Sequence, residues 1–285
     1  MKSLAETGPN AEQIRYWNEE AGPRWVAFRD RLDALIEPLG ALALERAAAA
    51  PGERVLDVGC GCGQTSLALA RQVGPQGRVT GIDLSAAMLE VAAGRARDAG
   101  LGQARFLAAD AQTAELDPVD LVFSRFGVMF FADPVAAFAN LRAALAPGGR
   151  LVFVCWQAIG ANPWMLEPLL AMAKHVALPP PPAPGEPGPF SFGDAERVRG
   201  ILRDAGFSRL RIEPAETELR LGGPGGIDEA LDFVLRIGPA SAALRDAAPD
   251  SVARVGEAVR EVLAARARPD GVSMPAAVWL VTARP

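Results

Sequence analysis

Residues 54–73 have the sequence RVLDVGCGCGQTSLALARQV, and this stretch decides the fold. Residues 54–59 are short and mostly apolar, which predicts a buried strand, and residues 64–73 have the apolar spacing of a helix. Three glycines alternate with two cysteines between them. A strand, a glycine turn and a helix in this order are the opening of a doubly wound α/β sheet.

The same alternation continues along the chain. Further strands are predicted at residues 78–82, 104–108, 119–124, 150–155, 209–214 and 276–283. Further helices are predicted at residues 86–99, 134–145, 156–178, 194–205, 228–237 and 251–267. Strands that alternate with helices pair in parallel through right-handed crossovers. We therefore expect an α/β fold: a doubly wound, mostly parallel seven-stranded sheet, Rossmann-like, with helical lid insertions.

These elements suggest a division of the chain into four parts. We expect an N-terminal helical cover at residues 1–50 and a Rossmann-like core at 51–157. A lid insertion follows at 158–190, ending in a proline-rich connector at 179–189 that cannot form a continuous helix. Residues 191–285 complete the sheet and carry a second helical insertion near 225–270.

The glycine loop is a candidate site for a nucleotide-like ligand. Glycine permits positive φ and close approach of a ligand to the backbone, although a tight turn without a ligand is an alternative. The dinucleotide fingerprint G-x-G-x-x-G requires glycine at position 64, where this chain has Gln64. In addition, Asp57 would repel a pyrophosphate and attract a cation. Both features argue against a nicotinamide dinucleotide.

Two more carboxylates follow the next two strands. Asp83 lies in GIDLS (81–85), where a carboxylate can accept both hydroxyl hydrogens of a ribose. Asp110 lies in AADA (108–111), where a carboxylate can accept from an adenine amino group. An aspartate at either position alone is more often a turn residue or a helix cap than a ligand contact. Together with Asp57, however, they place acids at three successive strand ends, which favours a single ligand that contains a nucleoside.

The segments VLDVGCGCGQTSLALA, GIDLS, AADAQ, DLVFSRFGVMFF and LAPGGRLVFVCW resemble the class I S-adenosylmethionine-dependent methyltransferases, in particular the bacterial ubiquinone- and menaquinone-biosynthesis type. The resemblance is strong over roughly residues 10–160. It implies S-adenosylmethionine as cofactor and S-adenosylhomocysteine as product. It also implies which residues bind each part of the cofactor: Asp57, Gly59 and Gly61 the methionine end, Asp83 and Leu84 the ribose, Asp110 and Ala111 the adenine, and Arg125 and Phe126 the sulfonium side.

The segment YWNEEAGPRW at residues 16–25 looks like the cover helix of this family. Tyr16 and Trp25 are therefore candidate cofactor contacts, because an aromatic ring or a hydroxyl near the sulfonium would help to position the methyl group. Tyr16 is also a candidate catalytic residue. The alternative is that the tryptophans of this segment only anchor it to the sheet.

The acceptor site is less well defined by the sequence. Methyl transfer can be accelerated by proximity and orientation alone, without a nucleophilic residue. His175, the sole histidine, is a candidate base, although a lone histidine in an amphipathic helix is usually a packing or surface residue. An apolar acceptor pocket is expected near the sulfonium side, and its candidate residues are Met129, Phe130, Trp156 and Trp164, with Phe126, Phe131 and Met165 as further members.

No metal is expected at the site. Ser-Arg-Phe-Gly at residues 124–127 is neither the acidic pair that holds magnesium in catechol-type enzymes nor the Asn/Asp-Pro-Pro-Tyr of amide and adenine N-methyltransferases. Cys60 and Cys62 lack two further nearby ligands and make a poor zinc site.

The composition limits the partners. Half of the 285 residues are hydrophobic and the formal net charge is −5, with no concentrated basic stretch for nucleic acid. Neither a signal peptide nor a membrane span is expected, so we expect a cytoplasmic monomer or homodimer that acts on a small molecule. Two other functions stay open: a regulatory protein that binds the cofactor without transfer, and an NAD(P)-dependent oxidoreductase.

Overall fold

The computed structural model describes residues 3–178, 180, 182–183, 185–237, 243–244 and 247–285. Its strands are β1 (Arg54–Val58), β2 (Arg78–Asp83), β3 (Ala104–Ala108), β4 (Val119–Arg125), β5 (Leu145–Trp156), β6 (Ser208–Gly222), β7 (Ala267–Arg268) and β8 (Gly271–Arg284). Its α-helices are α1 (Ala11–Tyr16), α2 (Gly22–Ala27), α3 (Arg29–Ala47), α4 (Gln64–Val73), α5 (Ala86–Asp98), α6 (Pro134–Ala143), α7 (Pro163–Met172), α8 (Ala195–Asp204), α9 (Gly226–Arg236) and α10 (Pro249–Ala264). A π-helix spans Trp17–Ala21, and 3-10 turns span Gly127–Phe130 and Ile159–Ala161.

Within the described residues the strands form one eight-stranded sheet with the order β3-β2-β1-β4-β5-β8-β6, and the two-residue β7 pairs with β8. The pairs from β3 to β5 are parallel, and β8 is antiparallel to β5. The predicted doubly wound, mostly parallel α/β fold is thus confirmed, but the described sheet has eight strands and not the predicted seven, because the two-residue β7 adds one. Because β1 has β2 on one side and β4 on the other, the sheet reverses its winding there, which is where such sheets bind ligands.

The sequence of β1 explains its central position. Every residue of the strand after Arg54 is buried, as expected of a parallel strand covered on both faces. Asp57 lies opposite Gly81 of β2 and Phe123 of β4. Asp83, the last residue of β2, lies opposite Ala108, the last residue of β3. The acids predicted at strand ends therefore lie at or just after the carboxyl ends of neighbouring strands.

Several elements differ in length from the predicted ones. We expected Gly148 and Gly149 to end a helix, but α6 ends at Ala143 and β5 begins at Leu145. The pairing of β4 with β5 shifts register between Val119 and Leu121, and glycine in a strand is typical of such an irregularity.

The predicted helix at residues 156–178 is also shorter than expected. Trp156 is the last residue of β5 and pairs with Val278, and α7 begins only at Pro163. Proline is favoured at the first position of a helix because it has no N–H to leave unpaired there. Parts of the predicted proline connector at 179–189 and of the insertion at 225–270 lie outside the described residues.

The chain forms two compact units. Unit 1 comprises Met1–Trp156, Gly185–Pro214 and Val278–Pro285, and unit 2 comprises Gln157–Pro184 and Ala215–Ala277. Within unit 2, α10 packs against α7 and α9, and the buried Asn162 side chain exchanges hydrogen bonds with the backbone of Ala277. A search of the described residues finds no helix with the length and hydropathy needed to cross a membrane.

Candidate cofactor site

The glycine loop after β1 is shaped by close backbone packing. Gly59 has a φ of 67°, and a Cβ on it would lie 2.5 Å from the Cα of Gly127, which follows β4. Only glycine permits both the left-handed conformation and this approach. The backbone after β4 is thereby held against the loop after β1.

Asp57 is fully buried beneath this loop. Its Oδ2 accepts hydrogen bonds from the Thr65 hydroxyl at 2.8 Å and from the Ser66 hydroxyl at 2.6 Å. Its Oδ1 is buried and has no hydrogen-bond partner. Burial raises the pKa of the Asp57 carboxyl to about 6, although the two hydroxyl donors and the nearby charge of Arg125 act to lower it. An unpaired buried carboxylate oxygen is costly, and a cationic donor beside it would remove that cost.

Asp83 joins the glycine loop to the helix that follows β2. Its Oδ2 accepts from the Gly61 N–H and its Oδ1 from the Ser85 N–H, both at 2.9 Å. Burial raises the pKa of the Asp83 carboxyl, whereas these backbone donors lower it. A carboxylate offers about four acceptor positions, so Asp83 keeps acceptor capacity beside these backbone bonds. Leu84 lies beside it and is partly buried.

Asp110 lies two residues after the end of β3 and is 8% exposed. Its Oδ1 accepts from the Asn10 side-chain amide at 2.8 Å and from the Gln112 N–H at 2.9 Å. Its Oδ2 has a long contact of 3.4 Å with the Thr113 hydroxyl. Ala111 is buried, and its carbonyl accepts from the side-chain amide of Asn140 at 2.9 Å.

Arg125, at the end of β4, brings a positive charge to the site. Its guanidinium donates to Gln64 and lies 3.6 Å from the carboxylate of Asp33 in α3. Asp33 also pairs with Arg95 of α5 at 2.8 Å, and Arg95 donates to the carbonyl of Cys62 at 2.9 Å. Two arginines and one aspartate thus connect α3, α5 and the glycine loop.

Phe126 has an uncommon backbone conformation for an aromatic residue, with a φ of 65°. Its ring stacks on Trp156 with centroids 4.3 Å apart and an interplanar angle of 10°. A strained non-glycine residue persists only where the surrounding structure enforces it, and such residues cluster at functional sites. Since Gly127 packs on Gly59, this stack lies next to the glycine loop.

The N-terminal aromatic residues form a second cluster. Trp17 contacts Phe130 edge-on at 5.0 Å, Trp25 at 6.1 Å and Tyr16 at 5.7 Å. Tyr16 is 43% exposed, whereas Trp17 and Trp25 are partly buried. Trp17, which was not among the candidate site residues, is therefore the centre of the cluster.

The remaining candidates lie in different environments. Met129 is 1% exposed, and its carbonyl accepts from Gly188 and Ser191 within unit 1. Trp164 belongs to unit 2, where its indole N–H donates to Asn162 at 3.3 Å. His175 follows α7 in unit 2, and its backbone N–H donates to the Met172 carbonyl. Their roles at an acceptor site stay predictions.

Several residues that contact the residues at these strand ends carry no signal in the sequence. Asn10 contacts Asp110, and Asn18 donates to the Leu84 carbonyl at 3.0 Å and accepts from Ala86 at 3.2 Å. The same is true of Gln112, which accepts from the Asp133 N–H, and of Asp33, which pairs with Arg95. These contacts join residues far apart in the chain, and no spacing rule predicts them. Only Thr65 and Ser66 had a local signal, because they begin the helix that faces Asp57.

Comparison with known proteins identifies the family of the chain. A family model described as "Methyltransferase domain" matches residues 55–149. The chain is 38% identical over 176 residues to demethylmenaquinone methyltransferase of Staphylococcus aureus, covering 56% of this chain and 70% of that protein. It is 37% identical over 127 residues to aklanonic acid methyltransferase DauC of a Streptomyces species, covering 44% of this chain and 58% of that protein.

A solved structure extends the similarity of fold. The YcgJ protein of Bacillus subtilis superposes with a TM-score of 0.56 at 16% identity, over 86% of this chain and 98% of that one. This likeness concerns the fold alone. The chain spans less than two thirds of the aklanonic acid enzyme, so that enzyme's substrate is not carried over here.

The family model matches the segment that contains Asp57, Asp83 and Asp110, and the resemblance found in the sequence is confirmed. The nicotinamide-dependent alternative is not favoured by any of these relatives. The chain belongs to the class I S-adenosylmethionine-dependent methyltransferases.

Proposed function

We propose that this protein transfers the methyl group of S-adenosylmethionine to an oxygen, nitrogen or carbon atom of a small, partly apolar acceptor, without a metal. The proposed binding of S-adenosylmethionine rests on the unpaired, buried Oδ1 of Asp57 beneath the glycine loop. The amino group of the methionine end would donate to this atom. Asp83 would accept the ribose hydroxyl hydrogens, and Asp110 the hydrogen of the adenine amino group.

When bound, S-adenosylmethionine supplies an electrophilic methyl group on a positively charged sulfur. The residues of this chain would orient the methyl group and exclude water from it. The stacked rings of Phe126 and Trp156 are both less than 10% exposed and adjoin the glycine loop, which supports an apolar acceptor with a flat surface. Orientation of this kind can supply much of the acceleration of a displacement reaction.

The names of the relatives suggest the same class of acceptor. One is named for aklanonic acid and the other for demethylmenaquinone. For this chain we propose only the class of acceptor, which is a partly apolar metabolite of secondary metabolism. We further propose a cytoplasmic protein that acts as a monomer or homodimer and does not bind nucleic acid.

Proton removal is a separate part of the proposal. An acceptor hydroxyl needs a base, whereas a neutral amine does not. His175 and Tyr16 are the candidates, and an unchanged kcat in both His175→Ala and Tyr16→Phe would exclude them as bases.

The test is transfer of labelled methyl from S-adenosylmethionine to aklanonic acid, to a short-chain analogue of demethylmenaquinol and to ethanolamine as a polar control. We expect transfer to an apolar acceptor and none to ethanolamine. In Trp156→Leu we expect a KM for the acceptor raised by about tenfold, because the flat contact is lost, with the affinity for S-adenosylhomocysteine unchanged. Tight binding of S-adenosylhomocysteine with no transfer to any apolar acceptor would instead support the non-catalytic alternative.

A further inference from the structure

Asn10 is a buried polar residue that the proposed mechanism does not use. It is 2% exposed and directly precedes α1. Its side-chain N–H donates to Asp110 Oδ1 at 2.8 Å, and its side-chain oxygen accepts from the Ala132 N–H at 2.9 Å. The amide therefore joins the N-terminal segment to the loop after β3 and to the loop before α6.

The bonds of Asp110 are unequally divided between its two oxygens. Oδ1 accepts from both Asn10 and the Gln112 N–H, whereas Oδ2 has only the 3.4 Å contact with Thr113. The oxygen that points to Asn10 is thus occupied, and the other keeps acceptor capacity. Two donors on one oxygen also restrict rotation of the carboxylate about the Cβ–Cγ bond.

The surrounding loops hold this arrangement in place. The side-chain oxygen of Gln112 accepts from the Asp133 N–H at 3.0 Å, and Asp133 caps α6 through the Ala136 N–H at 3.0 Å. The loop after β3 is therefore tied to the start of α6 by two side-chain amides, those of Asn10 and Gln112. Asp110 has little freedom to turn.

We propose that Asn10 is a positioning residue that sets the selectivity of the site for adenine, by holding Asp110 so that its Oδ2 faces the nucleobase. The inference rests on the proposed contact of Asp110 with the adenine amino group. An amino group donates a hydrogen to a carboxylate oxygen. Hypoxanthine has a carbonyl oxygen at the same position, and two acceptors facing each other repel.

The test is calorimetric titration with S-adenosylhomocysteine and S-inosylhomocysteine, which differ in the 6-substituent, amino or carbonyl, and in the hydrogen that hypoxanthine carries on N1. Four proteins are compared: wild type, Asn10→Ala, Asp110→Ala and the matched control Asn18→Ala. Asn18 also anchors the N-terminal segment, but beside Leu84 and Ala86 at the end of β2. Asn10→Ser, which keeps a hydroxyl for hydrogen bonding, is measured in parallel in case the alanine variant is unstable.

The readout is the ratio of the two dissociation constants, which a loss of folded protein does not change. We expect wild type to prefer the adenine ligand by at least about tenfold. Asn10→Ala should reduce this ratio by at least about fivefold, and Asn10→Ser by less. In Asn18→Ala both ligands should weaken by the same factor, so the ratio stays that of wild type.

The possible failures are distinguishable. If Asn10→Ala weakens both ligands equally while Asp110→Ala abolishes the preference, Asn10 is a structural anchor only and the inference is wrong. If Asp110→Ala keeps the full preference, the proposed contact of Asp110 with adenine is wrong, and the inference falls with it.

Discussion

Among the described residues, the buried carboxylates belong to unit 1, whereas the ion pairs of unit 2 are partly exposed. In unit 1, Asp57 and Asp110 are buried and bound by hydroxyl, amide and backbone donors. In unit 2, Arg266 and Glu167 pair at 2.6 Å with about a third of each side chain exposed, and the pair of Arg220 with Asp270 is more exposed still. Exposed pairs contribute little to stability, whereas buried carboxylates are costly. The cost in unit 1 supports the proposal that a ligand completes a site there.

The largest effect should come from Asp83→Ala. Loss of a charged acceptor for two ribose hydroxyls should weaken S-adenosylhomocysteine by at least about 100-fold, measured by calorimetric titration. The matched control is Asp120→Ala, which removes a carboxylate near the start of β4 that pairs with Arg54. An equal effect of the two substitutions would show that a carboxylate at the carboxyl end of β2 has no special role in binding.

A smaller effect should appear in the pH dependence of binding. The pKa of Asp57 is raised to about 6 by burial, so most of this carboxyl is protonated at pH 5 and ionised at pH 7. If the ionised form binds the amino group of the ligand, the affinity for S-adenosylhomocysteine should rise by about tenfold over this interval. Asp57→Asn should bind more weakly at pH 7 and lose most of this rise.

The raised pKa of Asp57 also determines whether the free energy of unfolding rises or falls with pH. A carboxyl whose pKa is higher in the folded state stabilises the fold below its unfolded pKa, and this contribution is lost as the pH rises through about 6. The free energy of unfolding of Asp57→Asn, measured by urea denaturation without ligand, should therefore fall less between pH 5 and pH 7 than that of wild type. Asp83, whose pKa is also raised, keeps its own pH dependence in both proteins. Identical pH profiles for wild type and variant would contradict a buried, titrating Asp57.

The smallest effect should come from unit 2. Arg266→Ala removes the partly exposed pair with Glu167, and we expect a loss of under about 1 kcal/mol in the free energy of unfolding. The affinity for S-adenosylhomocysteine should stay that of wild type. A loss of several kcal/mol would mean that this pair stabilises unit 2 as strongly as a buried one, and the contrast between the units would fail.

The strand-end acids could be predicted because they follow a local pattern. Asp57, Asp83 and Asp110 each come at or just after a short apolar run, and parallel strands bring such positions to one edge of the sheet. Asn10 and Asn18 could not be predicted in this way. Their bonds span 100 and 66 residues of sequence, and an asparagine before or within a helix resembles any other polar residue.

The N-terminal aromatic residues show a second limit. We expected Tyr16 and Trp25 to be the residues of interest, assuming one continuous cover helix. The π-helix at Trp17–Ala21 places more residues in a turn than an α-helix and changes which side chains share a face. Trp17 becomes the residue that contacts Phe130 and Trp25, a position that a helical period of 3.6 residues does not predict.

A crystal structure with S-adenosylhomocysteine would test most directly whether the carboxyl ends of β1, β2 and β3 bind the cofactor. We predict an Asp83 oxygen within hydrogen-bond distance of each ribose hydroxyl, Asp110 Oδ2 at the adenine amino group and the ligand amino group at Asp57 Oδ1. A ligand bound elsewhere, or one whose ribose does not contact Asp83, would contradict the proposed site.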